Sequence, residues 1–292
     1  METPRASTLI AFWTTLALTA SAVEPIIVKL GMNHRTTALQ ILIWKLILGG
    51  IFMFPVFKKV KLTKKNAPQI ILAALLYSSH YAFAFFALNF ITVSFLVTAL
   101  ATTPIIVALM NRLYADERAP LQFWLASATS AFGVILSLSW HGPANSENSV
   151  VGLFLALLAV LASATYRIKM DQITRVIEPI AASASLFIVN ACVGLLALPW
   201  IPLIETKVVP SVIWIALAGV VANVAFVRAL STLGSTRISI LTLLQRPLII
   251  LISIPILGEI PTTLQWVGIT TVIVSVYFSR TAQKKAIISC RG

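Results

Sequence analysis

Four formally charged residues stand inside long apolar stretches: Glu24, Lys45, Arg228 and Arg246. An ionised group at the centre of a bilayer costs about 2.5–3.5 kcal/mol on insertion scales, so such residues usually face a protein interior or a water-filled path. Glu24 shares a 3-4-3-4 spacing with Thr14, Ala17, Ser21 and Val28, which on a helix is one small, polar face. A carboxylate there suits proton coupling or recognition of a cation; the plainer alternative is an ion pair with Lys45, midway along the next run. Pro25 follows Glu24 and removes a backbone hydrogen bond, and discontinuous helices often line substrate sites. Arg246 lies between Gln245 and Pro247, on a face with Ser239, Thr242, Ile249 and Ser253. Its fork of fixed donors suits a carboxylate or phosphate, against pairing with Glu24 or with a helix terminus. Arg228 is four residues from the end of its run, within snorkelling reach of the interface.

Uncharged candidates accompany them. Asn223, five residues before Arg228 and deeper in the same run, is a candidate cavity donor. Tyr77, His80 and Tyr81 are close neighbours on one helix. His80 could carry a proton near neutral pH or serve as a hydrogen-bonded filler. The tyrosines could stack on an aromatic substrate or anchor at the interface. Tyr166 ranks below these, with Trp13, Trp44 and Asn190. Walker, GxSxG and HExxH motifs are missing, and no carboxylates are paired at workable spacing, which disfavours an ATP-driven pump and a conventional hydrolase. Cys192 and Cys290 form no CxxC, and the three histidines are scattered, so no metal site or cofactor is expected.

The elements that hold these residues are membrane spans. Apolar residues make up 59% of the 292-residue chain and charged residues 11%, with mean hydropathy +0.95. Soluble domains carry roughly 25% charge. Ten runs have the roughly 20 residues a spanning helix needs: 8–30, 36–57, 67–89, 91–112, 119–140, 149–171, 179–200, 210–232, 235–257 and 261–281. Arg5 ahead of the first run and Ala20-Ser21-Ala22 within it loosely resemble a signal peptide. The run resumes beyond that site, and its loss would spoil the symmetry described next.

One stretch occurs twice. Pro104, Asp116 and Gln122 match Pro247, Glu259 and Gln265, each pair 143 positions apart, about half the chain. Residues 1–145 and 146–292 are thus two copies of a five-span unit. An odd number of spans obliges the second copy to enter the membrane from the opposite side, giving an inverted repeat, a recurring plan of secondary transporters. Asp116, Glu117 and Glu259 read as turn or helix-start residues, where negative charge is favoured. With the N-terminus inside, sixteen Lys and Arg fall in inner segments and three (Lys29, Arg35, Lys207) in outer ones. That bias places both termini in the cytoplasm and accounts for much of the net charge of +13 without a nucleic-acid partner.

Leu257-Gly258-Glu259 followed by Leu264-Gln265-Trp266-Val267-Gly268, with Pro247 upstream, resembles the drug/metabolite transporter superfamily in its ten-span EamA-type branch. The first copy, Ala115-Asp116-Glu117 with Leu121-Gln122-Phe123-Trp124, departs from the usual Gly-Glu. The resemblance implies an all-α integral membrane protein of ten helices in two inverted five-helix repeats, and a transporter. It extends to a superfamily with many substrates. Related small multidrug transporters also use a glutamate in their first span; here the matching Ala162-Ser163-Ala164-Thr165-Tyr166 of span 6 has no acid, so coupling would belong to one half.

The expected protein is a multi-pass transporter of the plasma (inner) membrane that carries a small polar solute by alternating access, as an exporter of amino acids or related metabolites. Its partners are the solute, membrane lipid and protons as a candidate coupling ion, and it works as a monomer or homodimer. The in-span balance of three bases against Glu24 favours an anionic or zwitterionic solute. The alternatives are an importer or exchanger of a larger metabolite (a vitamin, a nucleobase, S-adenosylmethionine) and, from another class, a non-transporting scaffold or lipid-modifying enzyme.

Overall fold

The computed structural model describes residues 4–32, 36–59, 63–64, 66–87, 89–90, 96, 99–115, 119–137, 149–202, 204–257 and 263–289. The α-helices among them are α1 (Pro4–Met32), α2 (Ala38–Met53), α3 (Ala67–Ala87), α4 (Thr103–Ala115), α5 (Leu121–Ser137), α6 (Ser149–Thr174), α7 (Pro179–Ala197), α8 (Val209–Leu241), α9 (Gln245–Leu257) and α10 (Thr263–Ser289). They match the ten runs in order. Asp116, Glu117 and Glu259 lie outside the described residues, as does most of the first half of run 4.

Five described stretches are long and apolar enough to cross a membrane: Leu39–Val56, Ala67–Ala87, Val150–Thr174, Pro179–Trp200 and Thr206–Ile249, with shorter apolar helices at Thr8–Glu24, Thr103–Leu113 and Trp266–Tyr277. At about 1.5 Å per residue, α8 is too long for a single crossing of a hydrocarbon core of about 30 Å. It breaks at Gly234, whose φ of 77° and ψ of 163° are open to glycine and costly for other residues. That break separates runs 8 and 9. A second follows at the 3-10 turn Thr242–Leu244, and α9 starts with Gln245-Arg246-Pro247. In the other half α4 starts at Thr103-Pro104 after a turn at Ala101-Thr102. Both prolines of the repeat therefore open helices, where a missing N–H costs nothing.

Packing follows the repeat. Exchanging the halves turns α1 on α8 into α6 on α3, α1 on α9 into α6 on α4, and α2 on α8 into α7 on α3, while α2–α7 and α5–α10 pair each helix with its own counterpart; all of these contacts are present. The core joins α2, α3, α6, α7 and α8 through alanines such as Ala73, Ala74, Ala182 and Ala184 beside Tyr77, Leu186 and Phe187. Small residues let helices approach where lipid gives no hydrophobic drive between them. Large apolar side chains such as Leu72, Phe154, Leu196 and Trp214 are exposed instead, as a lipid-facing surface requires.

Helix ends carry the local signals. Thr37 and Gln40 close a capping box at the start of α2, and Gln40 Nε2 donates to Pro202 O at 3.0 Å, tying this end to the α7–α8 connection. Pro25 does not interrupt its helix: α1 runs unbroken from Pro4 to Met32. Proline still denies its i−4 carbonyl a partner, here Ser21 O, and Gln245 Nε2 supplies one at 2.8 Å. A side chain from the other half thus satisfies the gap, so the helix has no need to break.

Candidate functional site

Six of the ten candidate residues converge in the middle of the bundle. Glu24 of α1 pairs with Lys45 Nζ of α2 by a close hydrogen-bonded contact, with 5% and 1% of each residue exposed. Thr14 and Ala17, on the same face of α1, are buried too. Lys45 can reach Glu24 because α8 presents Gly219: a Cβ there would lie 2.9 Å from Lys45 Cε and 3.7 Å from Glu24 Oε2. A buried ion pair gains little over an apolar pair of equal volume, but losing one partner strands a charge.

An aromatic wall surrounds the ammonium. Lys45 Nζ sits 3.4 Å from the centroid of the Tyr81 ring and 5.8 Å from that of Tyr77. Such contacts strengthen when desolvated. Tyr77 continues to Tyr81 (5.0 Å between centroids), Tyr166 (5.4 Å) and Phe187 (5.9 Å), and Tyr166 stacks on Phe226 at 6.4 Å and 23°. Asn223, one turn beyond Gly219 on α8, donates from Nδ2 to Tyr166 Oη at 2.7 Å. Its Oδ1 is buried without a partner. The cluster draws on α1, α2 and α3 of one half and on α6, α7 and α8 of the other.

The remaining candidates stand apart. His80 packs on Tyr81, and its Nδ1 is 2.9 Å from Ala159 O; a carbonyl only accepts, so Nδ1 carries the hydrogen and the ring ties α3 to α6. Gln245 docks on α1 at Ser21, one turn before Glu24. Arg228 meets Glu178, the residue before α7, at 3.6 Å and the Trp13 ring at 5.6 Å. The side chain of Arg246 lies outside the described residues. The 3-4-3-4 face assigned to it assumes an unbroken helix, and the turn at Thr242–Leu244 interrupts that face. The excess of in-span bases also shrinks by one, since Glu178, beyond the counted spans, faces Arg228.

A polar network at the Gly234 end escaped the sequence reading. Asn111 Nδ2 donates to Ser235 Oγ and Thr236 Oγ1, both at 2.9 Å. Asp171 Oδ2 accepts from the backbone N–H and hydroxyl of Ser235 at 3.4 Å and from Arg175 at 3.2 Å. Arg167 Nη1 donates to Thr242 Oγ1 at 2.9 Å and Ser239 Oγ at 3.3 Å, with its Cζ 5.3 Å from the Phe226 ring. These bonds bind the seven-residue helical piece Ser235–Leu241, broken at both ends, to α4 and α6. A signal was available in Asp171 and Arg175, an acid and a base at i,i+4 spacing where run 6 ends. Arg167 is one of the sixteen bases of the inner segments, and its bonds to Ser239 and Thr242 join residues 72 and 75 positions apart, which no local spacing reports.

At the opposite end a cleft of about 300 Å³ opens between α2 and α3, lined by Thr37, Leu39, Leu42, Ala82, Phe85, Phe86 and Asn89. Leu42 is one turn from Lys45 and Phe85 one turn from Tyr81, so the cleft ends just short of the ion pair. Among the described residues no three His, Cys, Asp or Glu side chains are grouped to hold a metal.

The sequence profile of the EamA-like transporter family matches residues 8–139 and again 150–281. A search of curated proteins finds no match. Of 29 matching solved chains, one crystal structure superposes with a TM-score of 0.72 at 13% identity, covering 93% of this chain and 94% of the other; at that identity the likeness concerns fold alone. Two matched repeats, together spanning most of the chain, join the ten-helix bundle and its lipid-facing surface in one conclusion: the protein is an integral membrane protein and a member of the EamA-like transporter family.

Proposed function

We propose that the protein is a secondary transporter of small polar metabolites that works by alternating access in the plasma (inner) membrane, with both termini cytoplasmic and halves at residues 1–145 and 146–292. Its favoured substrates are amino acids or related zwitterions, moved outward. The observation that carries this reading is the buried Glu24–Lys45 pair, walled by Tyr77, Tyr81 and Tyr166 where the two halves meet. A permanent ion pair has no stability advantage over apolar packing, whereas a rearrangeable one can exchange partners with a polar solute. The Asn111, Asp171 and Arg167 bonds to Ser235–Thr242 close one end, the cytoplasmic one in this orientation, and the α2–α3 cleft marks the other. Protons are the candidate coupling ion, with Glu24 as the carboxylate they would load.

Cells overexpressing the protein are expected to resist toxic amino-acid analogues. Proteoliposomes loaded with labelled amino acids should release them faster than empty-vector controls. Unchanged sensitivity and unchanged efflux across a broad panel, with the protein verified in the membrane, would sink this reading.

A further inference from the structure

We infer that Glu24 and Tyr81 form a binding site for an alkylammonium group, which the side chain of Lys45 occupies as a tethered stand-in for the ammonium of the substrate, and that Asn223 Oδ1 is a further acceptor, unmet by Lys45, for the substrate's own N–H groups. The inference rests on the transport reading above and assigns the residues that choose the substrate. Its first support is the form of the site. A buried carboxylate and a tyrosine face, with the cation 3.4 Å from the ring centroid, are the partners expected for a desolvated ammonium. Gly219 makes room for the carbon chain behind that ammonium. The second support is independent: Asn223 Oδ1, one turn from Gly219 on the same helix, is a buried acceptor without a donor. Buried acceptors are seldom left so, and the N–H groups of an incoming ammonium would satisfy it.

Charge then decides the class of substrate. When a solute ammonium takes the place of Lys45 on Glu24, Lys45 becomes a free cation in a dry site. A carboxylate on the same solute pairs with it, and the filled site stays as neutral as the empty one. A monoamine would leave two cations against one carboxylate, and a simple acid two carboxylates against one cation. Both are costly where the dielectric is low. Lys45 therefore selects zwitterions over amines, and Glu24 selects them over acids.

Thermal unfolding of the purified, detergent-solubilised protein tests this with matched probes: L-leucine with isoamylamine, and L-phenylalanine with phenethylamine. Specific binding raises the unfolding temperature by mass action. Wild type should be stabilised by the amino acid of a pair at concentrations at least tenfold below those at which its amine acts. In Lys45→Met the preference should reverse, and adding Glu24→Gln should abolish amine binding. If Lys45→Met must be purified with amine present to stay folded, that dependence itself supports the site. Asn223→Ala, which keeps the ion pair, should weaken amino-acid binding about tenfold. A Lys45→Met protein that keeps the wild-type preference, or takes amines equally well without Glu24, overturns the inference. Amine binding by Lys45→Met, together with no amino-acid efflux by wild type, leaves the ammonium site standing and sinks the transport reading instead.

Discussion

Glu24 and Lys45 each make sense only through the other. Both are shielded from solvent, and the pair is held by geometry that α8 permits at Gly219. Removing one member leaves the other charge buried without a partner. Glu24→Gln is expected to lose about 3–5 kcal/mol of folding stability, measured by denaturation in detergent. The double variant Glu24→Leu/Lys45→Met should recover much of that loss, because apolar pairs of similar volume replace buried ion pairs at little cost. A double variant as unstable as the single one would show that the site depends on the charges for its packing. Gln245 belongs to the same scale. Its amide fills the carbonyl that Pro25 leaves empty at Ser21, and Gln245→Leu should cost about 1–3 kcal/mol through that unsatisfied group.

At the scale of elements, breaks in helices matter more than the helices themselves. Pro25 removes a helix bond without breaking α1, whereas the chain does break at Gly234, in the gap between runs 8 and 9, and again at Thr242–Leu244. A proline weakens a helix by removing one bond, and tertiary contact can restore a partner, whereas a positive φ changes the direction of the chain outright. A Cβ at Gly234 would meet nothing within 4 Å, so substitution there is opposed by backbone conformation rather than by contact. Gly234→Ala is expected to cost about 1–3 kcal/mol and to slow efflux, because it anchors the helical piece Ser235–Leu241. Gly219→Ala fails differently, by pushing Lys45 off Glu24. It should lower substrate affinity while leaving the Gly234 turn intact, a difference that binding and denaturation measured side by side would reveal.

For the whole molecule the question is whether the network at the Gly234 end opens. Asn111 touches Thr236 across the junction of α4 with Ser235–Leu241. An Asn111→Cys/Thr236→Cys protein should form a disulfide on mild oxidation and lose efflux, with recovery on reduction. Full efflux by the cross-linked protein would mean that this junction stays closed throughout transport. Exchanging the halves maps α4, α6 and the end of α8 onto α9, α1 and the end of α3, so those helices are expected to draw together at the other end when this one opens.

Much of this was legible beforehand, for identifiable reasons. Apolar runs report membrane spans because the bilayer requires every backbone group to bond within its own helix. The 143-residue offset reported the repeat because equivalent helices keep equivalent turn residues. Glu24 and Lys45 stood out because few forces keep a charge inside an apolar run. The rest depended on distance in space. Nothing local tells that Gln245 lies against Ser21, that Gly219 lies against Lys45, or that Arg167 reaches Ser239 and Thr242. The sequence sets Arg228 near the end of its run and Lys45 midway along its own, but that one meets Glu178 and Trp13 and the other a ring of tyrosines is visible only in space. By itself the sequence determined that this chain spans a membrane in two related halves, because hydropathy and repetition are properties of the chain. Which charges meet, where the helices break and which acceptor is left waiting were decided by the tertiary structure, because those are properties of neighbours.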